Sequence, residues 1–243
     1  MQIVAKTDIG LKRSTNQDNF KISSDTSLPV WAVVCDGMGG MAAGNVASQT
    51  AVQLIEKSLS DNLSPSVSES FICNLLKSSV LTSNAAIYDM ACSDENFKGM
   101  GTTVVAVIIK DNIAYIAHAG DSRAYLYHNG SLKQITTDHS IVQSMVDNGQ
   151  LTEDEARNHP NKNIITRAVG VRSEMEVDLT KVIFETNDTL LLCTDGLTNC
   201  VDDLKICEIL GEADLEKAAR RLIDTANANG GIDNITIAAF RNN

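Results

Sequence analysis

The sequence predicts a layered protein in which α-helices cover packed, mostly antiparallel β-sheets. Three observations support this fold class. The middle of the chain alternates short β-branched or aromatic segments with turns that are too short for helical crossovers. Segments with apolar residues at helical spacing come before and after this block. Hydrophobic residues make up 43% of the 243 residues and charged residues 21%, which is typical of a globular chain.

The first third of the chain predicts one buried strand followed by two helices. Residues 30–35 form a short apolar run that ends at Asp-Gly, the pattern of a buried strand running into a turn. Apolar residues at helical spacing predict helices over residues 45–57 and 68–90. The Ser-rich stretch 58–70 is the most linker-like part of the sequence, and we expect it to join these two helices rather than two domains.

The central block predicts four strands, over residues 102–109, 113–118, 123–127 and 132–135. The last two are separated by Asn129-Gly130, a pair that favours a tight hairpin turn. Because all the connections in this block are short, we expect these strands to pair in an antiparallel sheet.

The remainder of the chain predicts a mixture of helices and strands. We expect helices over residues 140–148 and 152–157, strands over 182–184 and 189–193, helices over 204–210 and 214–228, and a strand over 235–240. Thr152 and Glu155 have the spacing of a capping box at the start of the second helix. Since no linker or repeat divides the sequence, we expect a single domain over residues 1–243.

The charge balance excludes some classes of partner. Twenty Lys and Arg against thirty-one Asp and Glu give a net charge of −11, whereas nucleic acids and anionic membranes attract positive surfaces. We therefore expect no nucleic-acid or membrane partner. A small phosphate remains compatible with this charge, because a bound metal ion can reverse the local sign.

The cysteines and the N-terminus point to the cytoplasm. The six cysteines form no CxxC pair and are too sparse for a secreted disulfide scaffold, so we expect reduced thiols that mostly fill the core. The first residues lack the pattern of a signal peptide, and the longest aliphatic run, residues 104–109, is too short to span a bilayer.

Acidic residues recur where apolar runs end. Asp36, Asp121, Asp195 and Asp233 each lie beside Gly or Asn just outside such a run, and Asp18 lies in Asn-Gln-Asp. If packed strands bring these ends together, the carboxylates repel one another unless a cation offsets their charge. Oxygen ligands suit Mg²⁺ or Mn²⁺, and the four histidines lack zinc-site spacing. Asp-Gly is also a common turn dipeptide, so ordinary turns remain an alternative explanation of the pattern.

Seven short motifs then occur in an order that resembles a known family. They are Arg-Ser-Thr-Asn-Gln-Asp at residues 13–18, Val-Cys-Asp-Gly-Met-Gly-Gly at 34–40, Gly-Thr-Thr at 101–103, Ala-Gly-Asp-Ser-Arg at 119–123, Asp-His-Ser at 138–140, Thr-Asp-Gly-Leu at 194–197 and Gly-Ile-Asp-Asn-Ile-Thr at 231–236. The sequence is similar to the metal-dependent Ser/Thr protein phosphatases, the PPM or type 2C family, and specifically to its compact bacterial branch. The resemblance spans residues 6–240.

The resemblance implies an α+β fold: a four-layer α-β-β-α sandwich of two antiparallel sheets flanked by helix pairs. It also implies a centre of two Mn²⁺ or Mg²⁺ ions at one end of the sandwich. By matching motif, Asp36 would bridge both ions and the Gly37 carbonyl would bind one of them. Asp195 and Asp233 would bind the other ion, and Asp18 would act through a water.

Two further roles follow from the resemblance. Arg13 would hold the substrate phosphate as a two-pronged donor, and Asp121 with Asp195 would hold a weaker third ion. The implied reaction is hydrolysis of phosphoserine and phosphothreonine in proteins by a water that bridges two metals. We expect a monomer that acts on the phosphorylated products of a Ser/Thr kinase.

The source of the proton for the leaving oxygen stays open. Many eukaryotic relatives have His directly after Asp-Gly, whereas this chain has Met38, which cannot donate a proton. A metal-bound water is one candidate and His139 is a weaker one, while Arg123 is expected in a structural ion pair. The polar stretch 158–163 belongs to a segment that resembles the flap of bacterial relatives, and we expect it to help select substrates.

Two alternative functions remain. The first is a catalytically impaired relative that binds phosphoproteins, for which the loss of a ligand would be the signature; Asp36, Asp195 and Asp233 are all present. The second is a metal-dependent hydrolase of small phosphate esters, but the sequence contains no P-loop and no basic groove.

Overall fold

The computed structural model describes residues 1–23, 29–40 and 43–243. Over these residues the elements, in chain order, are β1 (Gln2–Asp8), β2 (Asp18–Ile22), β3 (Val30–Met38), α1 (Ala43–Asn62), α2 (Glu69–Ser93), β4 (Gly101–Thr102), β5 (Val104–Lys110), β6 (Ile113–Ala119), β7 (Arg123–His128), β8 (Ser131–Gln134), α3 (Ile141–Asp147), α4 (Glu153–Arg157), β9 (Asp178–Ile183), β10 (Thr189–Cys193), α5 (Asp195–Thr198), α6 (Asp203–Leu210), α7 (Leu215–Ala228) and β11 (Ile235–Arg241).

The strands form two antiparallel sheets. One has the order β1-β11-β10-β7-β8, and the other has the order β2-β3-β5-β6-β9, with the short β4 paired to β3. The sheets face each other across an apolar layer that includes Val105, Ile116, Leu190 and Phe240, all at most 1% exposed. Because both faces of these central strands are covered, their sequences are nearly continuous apolar runs.

Each sheet carries helices on its outer face. Ile55 of α1 and Leu76 of α2 are fully buried against the β3–β5–β6 side, with Ile108 among them. On the other side, α6 and α7 bury Ile209 and Leu222 against the sheet that contains β10 and β11. The predicted four-layer α-β-β-α sandwich is therefore confirmed.

The central block departs from its predicted pairing at one point. β6 and β7 do not pair, because the connection between them crosses from one sheet to the other. At this crossing Gly120 adopts a φ of +119°, and a Cβ there would lie 2.6 Å from the Thr103 side chain. Only glycine combines this backbone conformation with so close a neighbour. The hairpin at Asn129-Gly130 is as predicted, with positive φ at both residues.

Side chains cap the starts of two helices, one of which was predicted from the sequence. Ser68 caps α2 by accepting a hydrogen bond from the Phe71 amide, and the Thr152–Glu155 capping box is confirmed at the start of α4. The predicted linker is shorter than expected, because α1 continues to Asn62. In the described part of the chain, no helix has both the length and the apolar composition needed to cross a bilayer.

Candidate metal centre

The strand-end carboxylates meet at one end of the sandwich. Asp18 begins β2 and lies opposite Asp36 in the pairing of β2 with β3. Asp195 follows β10 and begins α5, while Asp233 lies just before β11. Asp121 follows β6 at the crossing between the sheets. All five lie close enough for the charges of the other four to act on Asp36, and four of them are the carboxylates that the sequence placed at strand ends.

The cluster is electrostatically strained. Burial, together with the negative charges of neighbouring aspartates, raises the pKa of Asp18 to about 7 and that of Asp195 to about 6. Burial likewise raises the pKa of Asp121 to about 8, again with a contribution from Asp195. For Asp36, burial and then the charges of Asp18, Asp195 and Asp121 raise the pKa well above its usual range. A divalent cation in the cluster would remove this repulsion.

Two of these carboxylates accept a hydrogen bond at one oxygen and have no partner at the other. The Oδ2 of Asp18 accepts a hydrogen bond from Thr194 Oγ1 at 2.8 Å, while its Oδ1 is buried without a partner. The Oδ2 of Asp195 accepts from Asn199 Nδ2 at 2.8 Å, while its Oδ1 is also buried and unpartnered. Buried oxygens without a hydrogen bond are costly, so these two fit the requirements of a hard cation.

Gly37 brings its backbone into the same region. A Cβ at Gly37 would lie 2.0 Å from the Gly44 carbonyl oxygen and 2.7 Å from that of Gln17. The Gly37 amide also donates to the Gln17 oxygen at 3.1 Å. Position 37 therefore admits only glycine, and its peptide group is fixed next to Asp36.

Arg13 lies at the exposed rim of the carboxylate cluster. Its Nη2 donates to Asp233 Oδ2 at 2.7 Å, and the side chain is 53% exposed. The loop that carries it is anchored by Asn234, whose Oδ1 accepts from the Gln17 amide and whose Nδ2 donates to the Thr15 carbonyl. The guanidinium is thus placed beside the carboxylates while its outer face remains open to solvent.

Several supporting residues were not assigned a role from the sequence. Thr103 Oγ1 accepts from the Asp36 amide at 2.9 Å, and the Thr103 amide donates to the Asp36 carbonyl at 2.8 Å. Thr194 and Asn234 lie within recognised motifs, but their contacts join segments that are far apart in sequence. Asn199 follows Asp195 by four residues, which is a helical spacing, and prediction of the short helix α5 would have revealed that pair.

Arg123 and His139, which the sequence analysis also considered, are both held by structural contacts. Arg123 makes the expected structural ion pair, with Nε donating to Asp138 Oδ1 at 2.9 Å and Nη2 donating to Oδ2 at 2.7 Å. The Nδ1 of His139 accepts from the Gly120 amide at 3.0 Å, and its Nε2 lies 3.1 Å from Asp178 Oδ2. With both ring nitrogens occupied, His139 has no proton available for a leaving group.

A second group of potential ligands surrounds His139. Atoms of His118, His139 and Asp178 lie within 4.8 Å of one another, although sequence spacing gave no sign of this. Because a backbone N–H points at Nδ1 of His139, the proton must be on Nε2, the atom that would have to bind a metal. Arg167 also pairs with Asp178 and supplies positive charge. We therefore interpret this histidine cluster as structural.

The surface of the described residues has two large clefts, and one of them is lined by carboxylates of the cluster. A cleft of about 880 Å³ lies between Met38, the last residue of β3, and a segment that includes Arg167 and Val171. A second, of about 510 Å³, extends from Asp121 and Asp195 to the helices α3 and α4. Asn158, Lys162 and Asn163, from the polar stretch predicted to select substrates, line the second cleft.

Comparisons with known proteins identify the family of this chain. Residues 12–234 match the family model described as protein phosphatase 2C. The serine/threonine phosphatase stp of Listeria monocytogenes is 41% identical over 96% of this chain and 92% of its own length. The structure of the Streptococcus agalactiae serine/threonine phosphatase is 39% identical, with a TM-score of 0.91 over 99% of each chain.

A further solved structure includes metal. The catalytic domain of the serine/threonine phosphatase PstP in complex with two manganese ions is 35% identical, with a TM-score of 0.85 over 98% of this chain and 96% of that one. The match of the family model, the identity of the relatives and the shared sandwich all agree. This chain therefore belongs to the protein phosphatase 2C family.

Proposed function

We propose that this chain is a Mn²⁺- or Mg²⁺-dependent phosphatase that hydrolyses phosphoserine and phosphothreonine in proteins. One observation carries the proposal: Asp18 and Asp195 present unpartnered buried oxygens within a cluster of like charge, with the exposed Arg13 at its rim. Such a cluster suits divalent cations, and a guanidinium beside it suits a phosphate. The names of relatives that share the fold support phosphoserine and phosphothreonine as the substrate class.

The cations have proposed ligands in this chain. Asp36 and the Gly37 carbonyl, together with Asp195 and Asp233, would hold the two core ions, and Asp18 would contribute through a water. Asp121, together with Asp195, would hold a weaker third ion. When bound, these ions supply a water of lowered pKa and offset the negative charge of the phosphoryl oxygens.

Side chains of the protein bind the phosphate and position the carboxylates. Arg13 binds the substrate phosphate with its two-pronged guanidinium, which orients the phosphorus toward the carboxylates. Thr194 and Asn199 hold Asp18 and Asp195 through one oxygen each, which keeps the other oxygen of each carboxylate free. Thr103 fixes the backbone of Asp36 on both sides of the residue.

A covalent route through a side chain is not part of the proposal. Cys35 directly precedes Asp36, but it is fully buried, and burial raises the pKa of its thiol. A protonated thiol is a poor nucleophile. Met38 carries no proton to give and His139 is fully hydrogen-bonded, which leaves water as the proton source for the leaving oxygen.

The direct test compares three substrates with the purified protein. A phosphoserine peptide, p-nitrophenyl phosphate and ATP are each incubated with Mn²⁺, with Mg²⁺ and with a chelator. We expect metal-dependent release of phosphate from the peptide and from p-nitrophenyl phosphate, with little from ATP. A preference for ATP would favour a hydrolase of small phosphate esters, and binding of the peptide without turnover would favour an impaired relative.

We further propose a monomer in the cytoplasm that opposes a Ser/Thr kinase, and a single domain over residues 1–243. Support for the compartment comes from the six cysteines, which all lie in the described residues and are all free thiols. Light scattering on the purified protein tests the monomer. Limited proteolysis that yields no stable subfragment would agree with one domain.

A further inference from the structure

Exposed apolar side chains gather on the Arg13 side of the site. Among the described residues, ten large hydrophobic side chains are at least 40% exposed. Three of these ten, Ile9, Leu11 and Ile232, lie on the two loops that also carry Arg13 and Asp233. We call these three residues the apolar rim.

The apolar rim is a rigid part of the molecule. The amides of Leu11 and Lys12 both donate to the Gly231 carbonyl, at 2.7 and 3.2 Å. A Cβ at Gly10 would lie 2.2 Å from the Asp233 carbonyl oxygen, so the two loops pack backbone against backbone. The two loops therefore form one unit, and their exposed side chains need little ordering when they bind a partner.

Leu11 and Ile232 lie at the junction of the two loops, and both side chains remain exposed to solvent. The Leu11 Cγ would lie 2.9 Å from a Cβ placed at Gly231, so Leu11 lies over that glycine. Leu11 nevertheless remains 65% exposed and Ile232 47% exposed. This apolar surface contributes little to the core, and covering it would be favourable for any partner that docks there.

The rim is continuous with the proposed phosphate site. Leu11 is two residues from Arg13, and Ile232 directly precedes Asp233, the ion-pair partner of that arginine. A polypeptide in an extended conformation rises about 3.3 Å per residue. When Arg13 holds a phosphorylated side chain, the neighbouring residues of the same polypeptide are therefore within reach of the rim.

We propose that the apolar rim is a substrate subsite that binds a large aliphatic or aromatic side chain close to the phosphorylated residue of the protein substrate. This proposal rests on the proposed phosphatase function. Arg13 supplies affinity for the phosphate, which every substrate shares, and the rim discriminates between sequences. A rigid preformed apolar surface beside a charged anchor is the arrangement by which peptide sites gain specificity.

The test uses phosphoserine peptides in which a single Leu is moved through the positions flanking the phosphoserine, with Ser elsewhere. Reactivity is expressed as the kcat/KM for each peptide divided by that for p-nitrophenyl phosphate, which has no flanking residue. We expect at least one Leu position to raise this ratio about tenfold over the all-Ser peptide, equivalent to about 1.4 kcal/mol. In the double variant L11S/I232S we expect the ratio to be the same for all peptides.

Ile183→Ser provides the matched control. Ile183 is 66% exposed, almost the same as Leu11, but it pairs with Ile113 at the end of β6 away from Asp121. We expect the I183S variant to keep the Leu preference. A wild-type protein without any Leu preference, or a double variant that retains it, would overturn the subsite. Failure of the phosphatase proposal is distinct, because the wild-type protein would then release no phosphate from either kind of substrate.

Discussion

Two clusters of titratable side chains lie close together in this molecule and have opposite electrostatic balance. The carboxylate cluster consists of Asp18, Asp36, Asp121, Asp195 and Asp233. The histidine cluster consists of His118, His139, Asp178 and Arg167. They are adjacent, because the Gly120 amide that binds His139 immediately precedes Asp121.

The difference between them lies in how their charges are balanced. In the histidine cluster, Asp178 accepts hydrogen bonds from both His139 and Arg167, which lowers its pKa even though burial opposes this. In the carboxylate cluster, the pKa values of the buried aspartates are raised, and two oxygens lack partners. Proximity of potential ligands is therefore a weak indicator of a metal site, whereas uncompensated negative charge on carboxylates that have a free oxygen is a stronger one.

The largest expected effect comes from Asp36→Asn, which removes the central charge of the carboxylate cluster. We expect kcat on p-nitrophenyl phosphate in Mn²⁺ to fall by about a thousandfold or more, since a ligand of both core ions is lost. We also expect the metal-free variant to melt above the metal-free wild type at pH 7.5, because one of the mutually repelling carboxylates is gone.

Asp61→Asn is the control for this substitution, because Asp61 is an exposed residue of α1. It should change neither turnover nor melting temperature. Near-wild-type turnover by a folded D36N protein would contradict the assignment of Asp36 as a shared ligand. A lower melting temperature of the metal-free variant would contradict the inference that the carboxylates repel one another when no metal is bound.

The next effect concerns the stability of the metal-free protein. Folding raises the pKa values of Asp195, Asp18 and Asp121 to about 6, 7 and 8, above the unfolded value near 4. The folded state then binds more protons than the unfolded state between about pH 4 and pH 8. The free energy of unfolding should therefore be highest at the acidic end of this window and fall as the pH rises through it.

We expect this loss to be on the order of a few kcal/mol, which is about 10 °C in melting temperature for a chain of this size. Calorimetry in chelator across this pH window measures it. Addition of Mn²⁺ at pH 7.5 should restore the loss, since a bound cation favours the ionised carboxylates. A metal-free melting temperature that rises steadily from pH 5 to pH 8 would be the contrary result.

Arg13→Ala should have a smaller effect, confined to substrate capture. A charge-assisted hydrogen bond is worth roughly 1.5–3 kcal/mol, so kcat/KM should fall by about 10- to 100-fold. Lys at this position should restore only part of the activity, because it lacks the planar fork. Since Arg13 is paired with Asp233 at 2.7 Å, the stabilisation by Mn²⁺ should be equal or larger in R13A.

Full rescue by Lys, or unchanged kcat/KM in R13A, would show that Arg13 does not contact the phosphate. Loss of the Mn²⁺-induced rise in melting temperature would show instead that Arg13 supports the metal centre. The two roles are therefore separable with one set of variants.

Most of the strands that the sequence predicted are buried along nearly their whole length; they are β3, β5, β6, β10 and β11. The exposed β8 was predicted from the Asn129-Gly130 hairpin turn instead. β3 and β10 are continuous apolar runs, and they stand out because neither face needs polar residues. β1 and β2 were not predicted: each mixes polar with apolar residues and is only partly buried. Their strand character comes from pairing with β11 and β3, which are distant in sequence.

The candidate site divides in the same way. Four of the carboxylates were found because each one lies where a predicted core strand ends, a property of the local sequence, whereas the role of Asp18 was assigned from the family motif that contains it. Thr103 and Asn234 act through hydrogen bonds to residues many positions away, which no local pattern encodes. The histidine cluster was missed for the same reason, since His118 and Asp178 meet only through the pairing of β6 with β9.

Asp121→Ala should release only the proposed third ion and leave the two core ions of the carboxylate cluster in place. A third ion that keeps several waters binds weakly, so the loss of one carboxylate should release it first. Turnover of a phosphoserine peptide should fall about tenfold and that of p-nitrophenyl phosphate less than about threefold, because p-nitrophenolate leaves without needing a proton. Metal counts in crystals of the variant should show two ions retained. Equal losses on both substrates would contradict a role of the third ion in protonating the leaving oxygen. Loss of all ions would contradict the assignment of Asp121 to the third ion alone.

The smallest effect is expected from His118→Phe, which tests the histidine cluster. The His118 ring stacks on His139 with centroids 4.7 Å apart, and both of its nitrogens are buried without partners. Burial, and then the neighbouring His139, lower the pKa of His118 to about 3, so the ring is neutral near pH 7. Phenylalanine keeps the stacked ring and removes two unsatisfied polar atoms, although it adds volume to a packed site.

These opposing terms should leave the free energy of unfolding of H118F within about 1 kcal/mol of the wild type. Because the histidine cluster needs no cation, the rise in melting temperature with Mn²⁺ or Zn²⁺ and the kcat/KM for p-nitrophenyl phosphate should also match the wild type. Asp36→Asn, measured alongside, shows what loss of a true ligand looks like. If H118F instead loses part of its stabilisation by Zn²⁺, then His139 must be able to release its Nε2 proton despite the Gly120 amide. In that case the charge-balance criterion that separates the two clusters would not hold.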